Sequence, residues 1–163
     1  MHRWIRPLIL SVTLLAAGTA MAQSTAPNKA GPRATPEAGQ TVDSSALTGV
    51  VFAVKPVPLG DDKVYTDLID GLAAQKKRHC RTMESYGWTF KKGDQTALDN
   101  IVQPTMEGLG KNGYEVTSLP VESAEVPNAA AFTATKRNRE ILGVWLPSAD
   151  AVVLLQCQTE EAF

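Results

Sequence analysis

Two cysteines and two histidines are the residues of this sequence best suited to covalent, redox or metal chemistry. They are Cys80, Cys157, His2 and His79. So few ligands cannot complete most zinc, haem or iron–sulfur sites. Neither cysteine begins the Cys-x-x-Cys-His motif that attaches c-type haem, and no Cys-x-x-Cys pair offers thiol–disulfide exchange. The sequence therefore predicts no metal site and no cofactor in this chain.

The motifs of common enzyme classes are missing as well. His79 is the histidine left for a Ser-His-Asp triad if the N-terminus is removed, and no Gly-x-Ser-x-Gly motif accompanies it. No Walker phosphate-binding loop occurs. A small hydrolase that uses His79 or a pair of carboxylates remains the third functional alternative. We expect no intrinsic catalytic activity.

The N-terminus has the pattern of a cleaved signal peptide. Arg3 and Arg6 precede a short apolar stretch at 8–17, and Ala20 and Ala22 bracket Met21 as signal peptidase requires. The apolar stretch is too short for a stable membrane anchor, although an uncleaved anchor is the alternative. We expect cleavage after Ala22, and therefore a periplasmic protein without a transmembrane segment of its own.

Composition divides the remainder into a leader and one domain. Residues 23–45 are rich in Ala, Pro, Ser and Thr, which predicts a flexible leader that acts as a spacer or wraps onto a partner. Residues 46–163 have ordinary globular composition and are long enough for one hydrophobic core. The formal net charge of −1 argues against a nucleic-acid-binding protein.

The two cysteines can be interpreted in two ways. An exported chain meets oxidising conditions, which favours a disulfide between Cys80 and Cys157. The alternative is a reactive thiol at Cys80, whose basic neighbours would lower its pKa. We predict the disulfide, and expect it to join the first helix to the last strand.

Hydrophobic periodicity predicts an α+β domain. A first strand is expected over 49–57, followed by a helix that starts near Asp61 and Asp62 and whose apolar face continues through Cys80 and Met83. A short strand is expected at 88–90. A second helix should start at Asp94, be kinked or split at Pro104, and end near Gly113. Strands are expected at 114–119, 131–136, 141–146 and 151–157, with both helices on one face of a mostly antiparallel sheet.

A basic cluster is the sharpest charge feature. Its candidate partner-binding residues are Lys76, Lys77, Arg78 and Arg81, with Lys77 and Arg81 on one helix face. They could dock an acidic partner, or they could be a solvated helix end that matches the helix dipole. Trp145 is either a core residue or an interface anchor. The basic residues at 136, 137 and 139 are interpreted as turn residues.

In its expected cleaved form, which begins at Gln23, the chain is similar in size and export pattern to the non-catalytic 15 kDa-type subunits of quinohaemoprotein alcohol dehydrogenases. In that family the cofactors belong to the other subunits. The resemblance implies an accessory subunit that binds and stabilises a larger, membrane-bound respiratory enzyme, and so lies peripherally on the inner membrane. The alternative from another class is a small periplasmic module that binds an apolar or anionic ligand.

Overall fold

A computed structural model describes residues 39–120 and 128–161. The predicted signal peptide and most of the predicted leader lie outside these residues. Two helices and six strands follow one another along the chain. They are β1 (Val57–Pro58), α1 (Lys63–Gln75), β2 (Arg78–Thr89), α2 (Gln95–Lys111), β3 (Glu115–Leu119), β4 (Ala130–Lys136), β5 (Arg139–Pro147) and β6 (Ala151–Glu161).

The six strands form one antiparallel sheet in the order β1-β2-β6-β5-β4-β3. Strands β3 to β6 are successive neighbours, and β2 pairs with the outer side of β6. This arrangement confirms the predicted α+β class, and the last four strands lie close to their predicted positions.

The helices cover opposite faces of the sheet, which corrects the expectation that both pack on one face. Ile69 of α1 lies in a cluster with Leu155, whereas Ile101 of α2 lies in a cluster with Leu154. Consecutive residues of a strand point to opposite faces, so these two leucines belong to different faces. Both are fully buried. The physical reason is that β5 and β6 are apolar on both faces, and each face needs its own cover.

Helix α1 is shorter than predicted. The Asp62 carboxylate caps its N-terminus by accepting a hydrogen bond from the Val64 N–H at 2.8 Å. The helix ends at Gln75, and Lys77, at a φ of 57°, leads directly into β2. The residues from 78 onward, expected to continue the helix, are therefore strand.

A β-bulge explains this error. The pairing of β2 with β6 shifts register between Cys80 and Thr82. The extra residue, Arg81, places Cys80 and Met83 on the same face of the sheet, although residues three apart in a regular strand face opposite ways. The three-residue spacing of Cys80 and Met83 on one face therefore matched the pattern expected of a helix.

The predicted first strand over 49–57 is mostly irregular. Only Val57 and Pro58 pair with β2, and an isolated bridge joins Ser44 to Val51. Val50 and Phe52 are nevertheless buried in the same cluster as α2. Most of this segment covers a sheet face, and only its last residue, Val57, joins the sheet. The short strand expected at 88–90 is the end of β2.

Helix α2 begins and ends where predicted. Asp94 caps it by accepting from the Ala97 N–H at 2.9 Å. At its C-terminus the Tyr114 N–H donates to the Leu109 carbonyl at 3.0 Å, and Gly113 adopts a φ of 81°, as in a Schellman motif. Pro104 lies inside the helix without splitting it.

Among the helices of the described residues, none is long and apolar enough to cross a membrane.

Candidate partner-binding surface and a polar clamp

The disulfide between Cys80 and Cys157 is confirmed, and Cys80 is therefore not a free reactive thiol. The two Cα atoms lie 5.6 Å apart. The bridge joins β2 to β6, two neighbouring strands, because Cys80 belongs to β2 and not to the first helix. It lies on the face of the sheet that α1 covers, where Cys157 is fully buried.

The basic cluster occupies the turn after α1 and the first residues of β2. Arg78 Nε lies 3.0 Å from a carboxylate oxygen of Glu140, and Arg81 Nη1 lies 2.7 Å from one of Glu160. Lys77 and Arg81 do not share a helix face, since Arg81 is the bulged residue of a strand. Lys76 and Lys77 are exposed, and neither has an ion pair within the described part of the chain.

A second group of cations lies at the same end of the sheet. Strand β4 ends at Lys136, and β5 begins opposite it at Arg139. Residue Thr159 of β6 is the register partner of both Glu140 and Cys80, so the start of β5 and the start of β2 flank the same part of β6. We call the seven cations that meet here the basic end: Lys76, Lys77, Arg78, Arg81, Lys136, Arg137 and Arg139.

Most cations of the basic end form no ion pair with a carboxylate of the described residues. Of its seven members only Arg78 and Arg81 form ion pairs with acids in the described ranges, 39–120 and 128–161. Arg139 donates from Nη2 to the Leu47 carbonyl and to Gln158 Oε1, both at 3.0 Å. Because these acceptors are neutral, they hold the guanidinium in place without cancelling its charge. The surface therefore favours an anionic binding partner.

Sequence reasoning missed three of the seven cations of this surface. Of the residues interpreted as turn residues, only Arg137 lies in the turn, since Lys136 ends β4 and Arg139 begins β5. The fold places all three at the same end of the sheet as the start of β2, with β6 between them. A local pattern cannot show this proximity, because it depends on the order of β2, β6 and β5 in the sheet.

Trp145 is not available as an interface anchor. Only 4% of its surface is exposed, and its ring centroid lies 5.8 Å from that of Trp88. Its Nε1 approaches the Met106 sulfur of α2 at 3.5 Å. The prediction of a partner-binding role for Trp145 is therefore wrong, and the alternative of a core residue is correct.

His79 is an exposed residue of β2 and lies opposite Glu160 of β6. Its Nε2 is 3.8 Å from a carboxylate oxygen of Glu160, and half of the side chain is exposed. The same carboxylate also binds Arg81. Among the described residues, no group of three His, Cys, Asp or Glu side chains is placed to hold a metal ion.

A glycine pattern that sequence reasoning overlooked proves to be structural. Gly108, Gly110 and Gly113 match the Gly-x-Gly-x-x-Gly spacing of dinucleotide-binding loops, in which the motif follows a strand and opens a helix. Here the motif closes α2. A Cβ atom on Gly108 would come within 2.8 Å of Val50, so this glycine permits close packing of the helix against the 42–52 segment.

A partly buried polar clamp attaches the segment before β1 to the sheet. Glu84 accepts hydrogen bonds from the N–H groups of Ala46 (2.9 Å) and Leu47 (3.1 Å), and from the Ser45 hydroxyl (2.7 Å). The Ser45 hydroxyl also lies 3.2 Å from Gln156 Oε1, while Gln156 Nε2 is buried and has no hydrogen-bond partner among the described residues. With only 2% of Ser45 exposed, its hydroxyl cannot meet a substrate, and the arrangement is a structural anchor.

Tyr86, buried next to the clamp, is expected to make the protein sensitive to alkaline pH. Burial, reinforced by the charge of Glu84 and a hydrogen bond to it, raises the pKa of the Tyr86 phenol far above its usual range. The unfolded chain then releases this proton at lower pH than the folded chain. The free energy of unfolding is expected to fall above pH 10, by at most about 1.4 kcal/mol per pH unit from this group.

Urea unfolding of the wild type and of Tyr86→Phe between pH 8 and 11 measures this contribution. The variant should have a flatter profile above pH 10, whatever its stability at pH 8. Parallel profiles for the two proteins would contradict the assignment to Tyr86.

Comparison of the chain with protein-family models, with curated proteins and with solved structures finds no match.

Proposed function

We propose that this chain is a non-catalytic accessory subunit that binds a larger protein through the basic end. The observation that carries the proposal is the convergence of two basic groups, far apart in the sequence, on one end of the sheet. Five of the seven cations there have no carboxylate partner among the described residues. Such a surface attracts an acidic surface and sets its orientation.

The partner class follows from the expected export and the resemblance in size. In this proposal the mature protein lies in the periplasm, and its partner is a membrane-bound respiratory enzyme of the alcohol dehydrogenase type, which holds the cofactors. The accessory subunit contributes no reacting group and stabilises the assembly.

Affinity purification from membranes of the source organism tests the proposal. A tag inserted after Gln23 is retained after the expected cleavage. It is far in the sequence from the end of β6, which lies at the basic end. In mild detergent at low salt, the tagged protein should bring down a larger membrane protein. Isolation of the tagged chain alone would contradict the proposal.

Charge reversal identifies the surface. The double variant Lys76→Glu/Lys77→Glu should lower the recovered partner at least about tenfold, since it replaces two exposed cations by anions in an electrostatic contact. The matched control is Lys91→Glu/Lys92→Glu, another pair of adjacent exposed lysines with the same change in net charge. Equal loss in both variants would show that only net charge matters and would contradict the assignment to the basic end.

A second candidate function, a small ligand-binding module, is favoured by one specific feature. A groove of about 570 Å³ lies beside the turn between β4 and β5. This volume falls within the range of small-molecule sites.

A further inference from the structure

The groove beside the β4–β5 turn combines a cationic wall with an apolar one. One wall is formed by the turn itself, with Lys136, Arg137 and Arg139. The other is formed by the 46–49 segment, including Leu47, and by Tyr114, which lies between α2 and β3. No Asp or Glu is among these lining residues.

Two of the three cations are held in place by neutral groups. Lys136 donates from Nζ to the Asn112 carbonyl and lies 5.4 Å from the centroid of the Tyr114 ring. Arg139 is held by the Leu47 carbonyl and Gln158 through Nη2 alone. Its Nε and Nη1 donate no hydrogen bond to another described residue, so three N–H groups remain for a ligand.

Arg137 is the third cation and sits at the tip of the turn at a φ of 54°. It forms no ion pair with any acid among the residues of known placement. Because Lys136 and Arg139 are already oriented, these two cations lose little conformational entropy when the site binds an anion, whereas Arg137 still has to be ordered.

We propose that this groove binds a small organic phosphate, with the phosphoryl group between Lys136, Arg137 and Arg139 and the organic part against Leu47 and Tyr114. Three cations at one turn suit a dianion concentrated on one group, and arginine donors match phosphate oxygens. This site assigns a ligand class to the groove of the second candidate function. It shares Lys136, Arg137 and Arg139 with the basic end but not Lys76 or Lys77, and a small-molecule probe tests it without the partner protein.

NMR titration of the full mature chain with phenyl phosphate tests the inference, with inorganic phosphate as a second probe at matched ionic strength. Phenyl phosphate should shift the amide signals of Gly49, Arg137 and Asn138 and bind at least about threefold more tightly than inorganic phosphate. Equal affinities would overturn the role of the apolar wall. Absence of shifts at these amides, or shifts centred on 76–81, would overturn the site.

Arg137→Gln is the informative variant, since this side chain forms no hydrogen bond or ion pair with the described residues and its loss should leave the fold intact. It should weaken phenyl phosphate binding about tenfold, the effect of removing one charge-assisted interaction. Lys76→Gln is the matched control outside the groove and should leave the affinity unchanged. An equal effect of the two substitutions would contradict a localised site.

Discussion

Reduction of the Cys80–Cys157 bridge is expected to lower the free energy of unfolding by about 4.5 kcal/mol, the chain-entropy value for a loop of this length. The bridge closes a loop with a sequence separation of 77, and its main effect is to restrict the unfolded chain. In the folded state it joins strands that already pair along their length. The loss is comparable to the whole stability of many small domains.

Urea unfolding of the oxidised and the reduced wild type measures this loss without any substitution. The double variant Cys80→Ala/Cys157→Ala should resemble the reduced protein and should not respond to reductant. It also loses some packing, since Cys157 is fully buried. Identical unfolding midpoints for oxidised and reduced wild type would contradict the stabilising role, and two free thiols in the protein isolated without reductant would contradict the bridge itself.

Replacing Glu84 by alanine is expected to cost about 3 kcal/mol, because several hydrogen bonds to a charged acceptor are lost together. The amides of Ala46 and Leu47 and the hydroxyl of Ser45 lose their common acceptor. Since the residues at 46–49 form one wall of the groove beside the β4–β5 turn, amide hydrogen exchange there should also accelerate.

Glu107→Ala is the matched control, because Glu107 is an exposed acid of α2 whose contacts are Lys111 and Gln103 on the same helix. It should change the free energy of unfolding by less than about 0.5 kcal/mol. Glu84→Gln keeps one carbonyl acceptor, so its free energy of unfolding should lie between those of Glu84→Ala and Glu107→Ala. If Glu84→Ala unfolds at the same urea concentration as Glu107→Ala, the clamp does not hold the segment.

Elements with local signals were predictable from the sequence. Helix α2 has an acidic cap at Asp94 and a glycine at position 113 that permits the left-handed turn, and both act through neighbouring residues. The hairpins of β4, β5 and β6 likewise have turn residues between apolar runs. The disulfide followed from the count of cysteines and the expected export.

The errors arose where distant contacts decide the structure. Val50 and Phe52 alternate with exposed Val51 as in a strand, but within the described ranges these residues form only an isolated bridge, between Val51 and Ser44, and no ladder. The bulge at Arg81 changed the apparent period of β2. The position of α1 and α2 on opposite faces, and the meeting of the two basic groups, depend on the order of strands, which no local pattern contains.

The central claim is that the basic end is the docking surface. Hydrogen exchange on the purified complex with the larger partner tests this claim most directly. Compared with the isolated chain, amides at 76–81 and around Arg137 should exchange more slowly in the complex, while those around Lys91 and Lys92 at the other end of β2 should not change. Protection confined to regions away from the basic end, in an intact complex, would contradict this account.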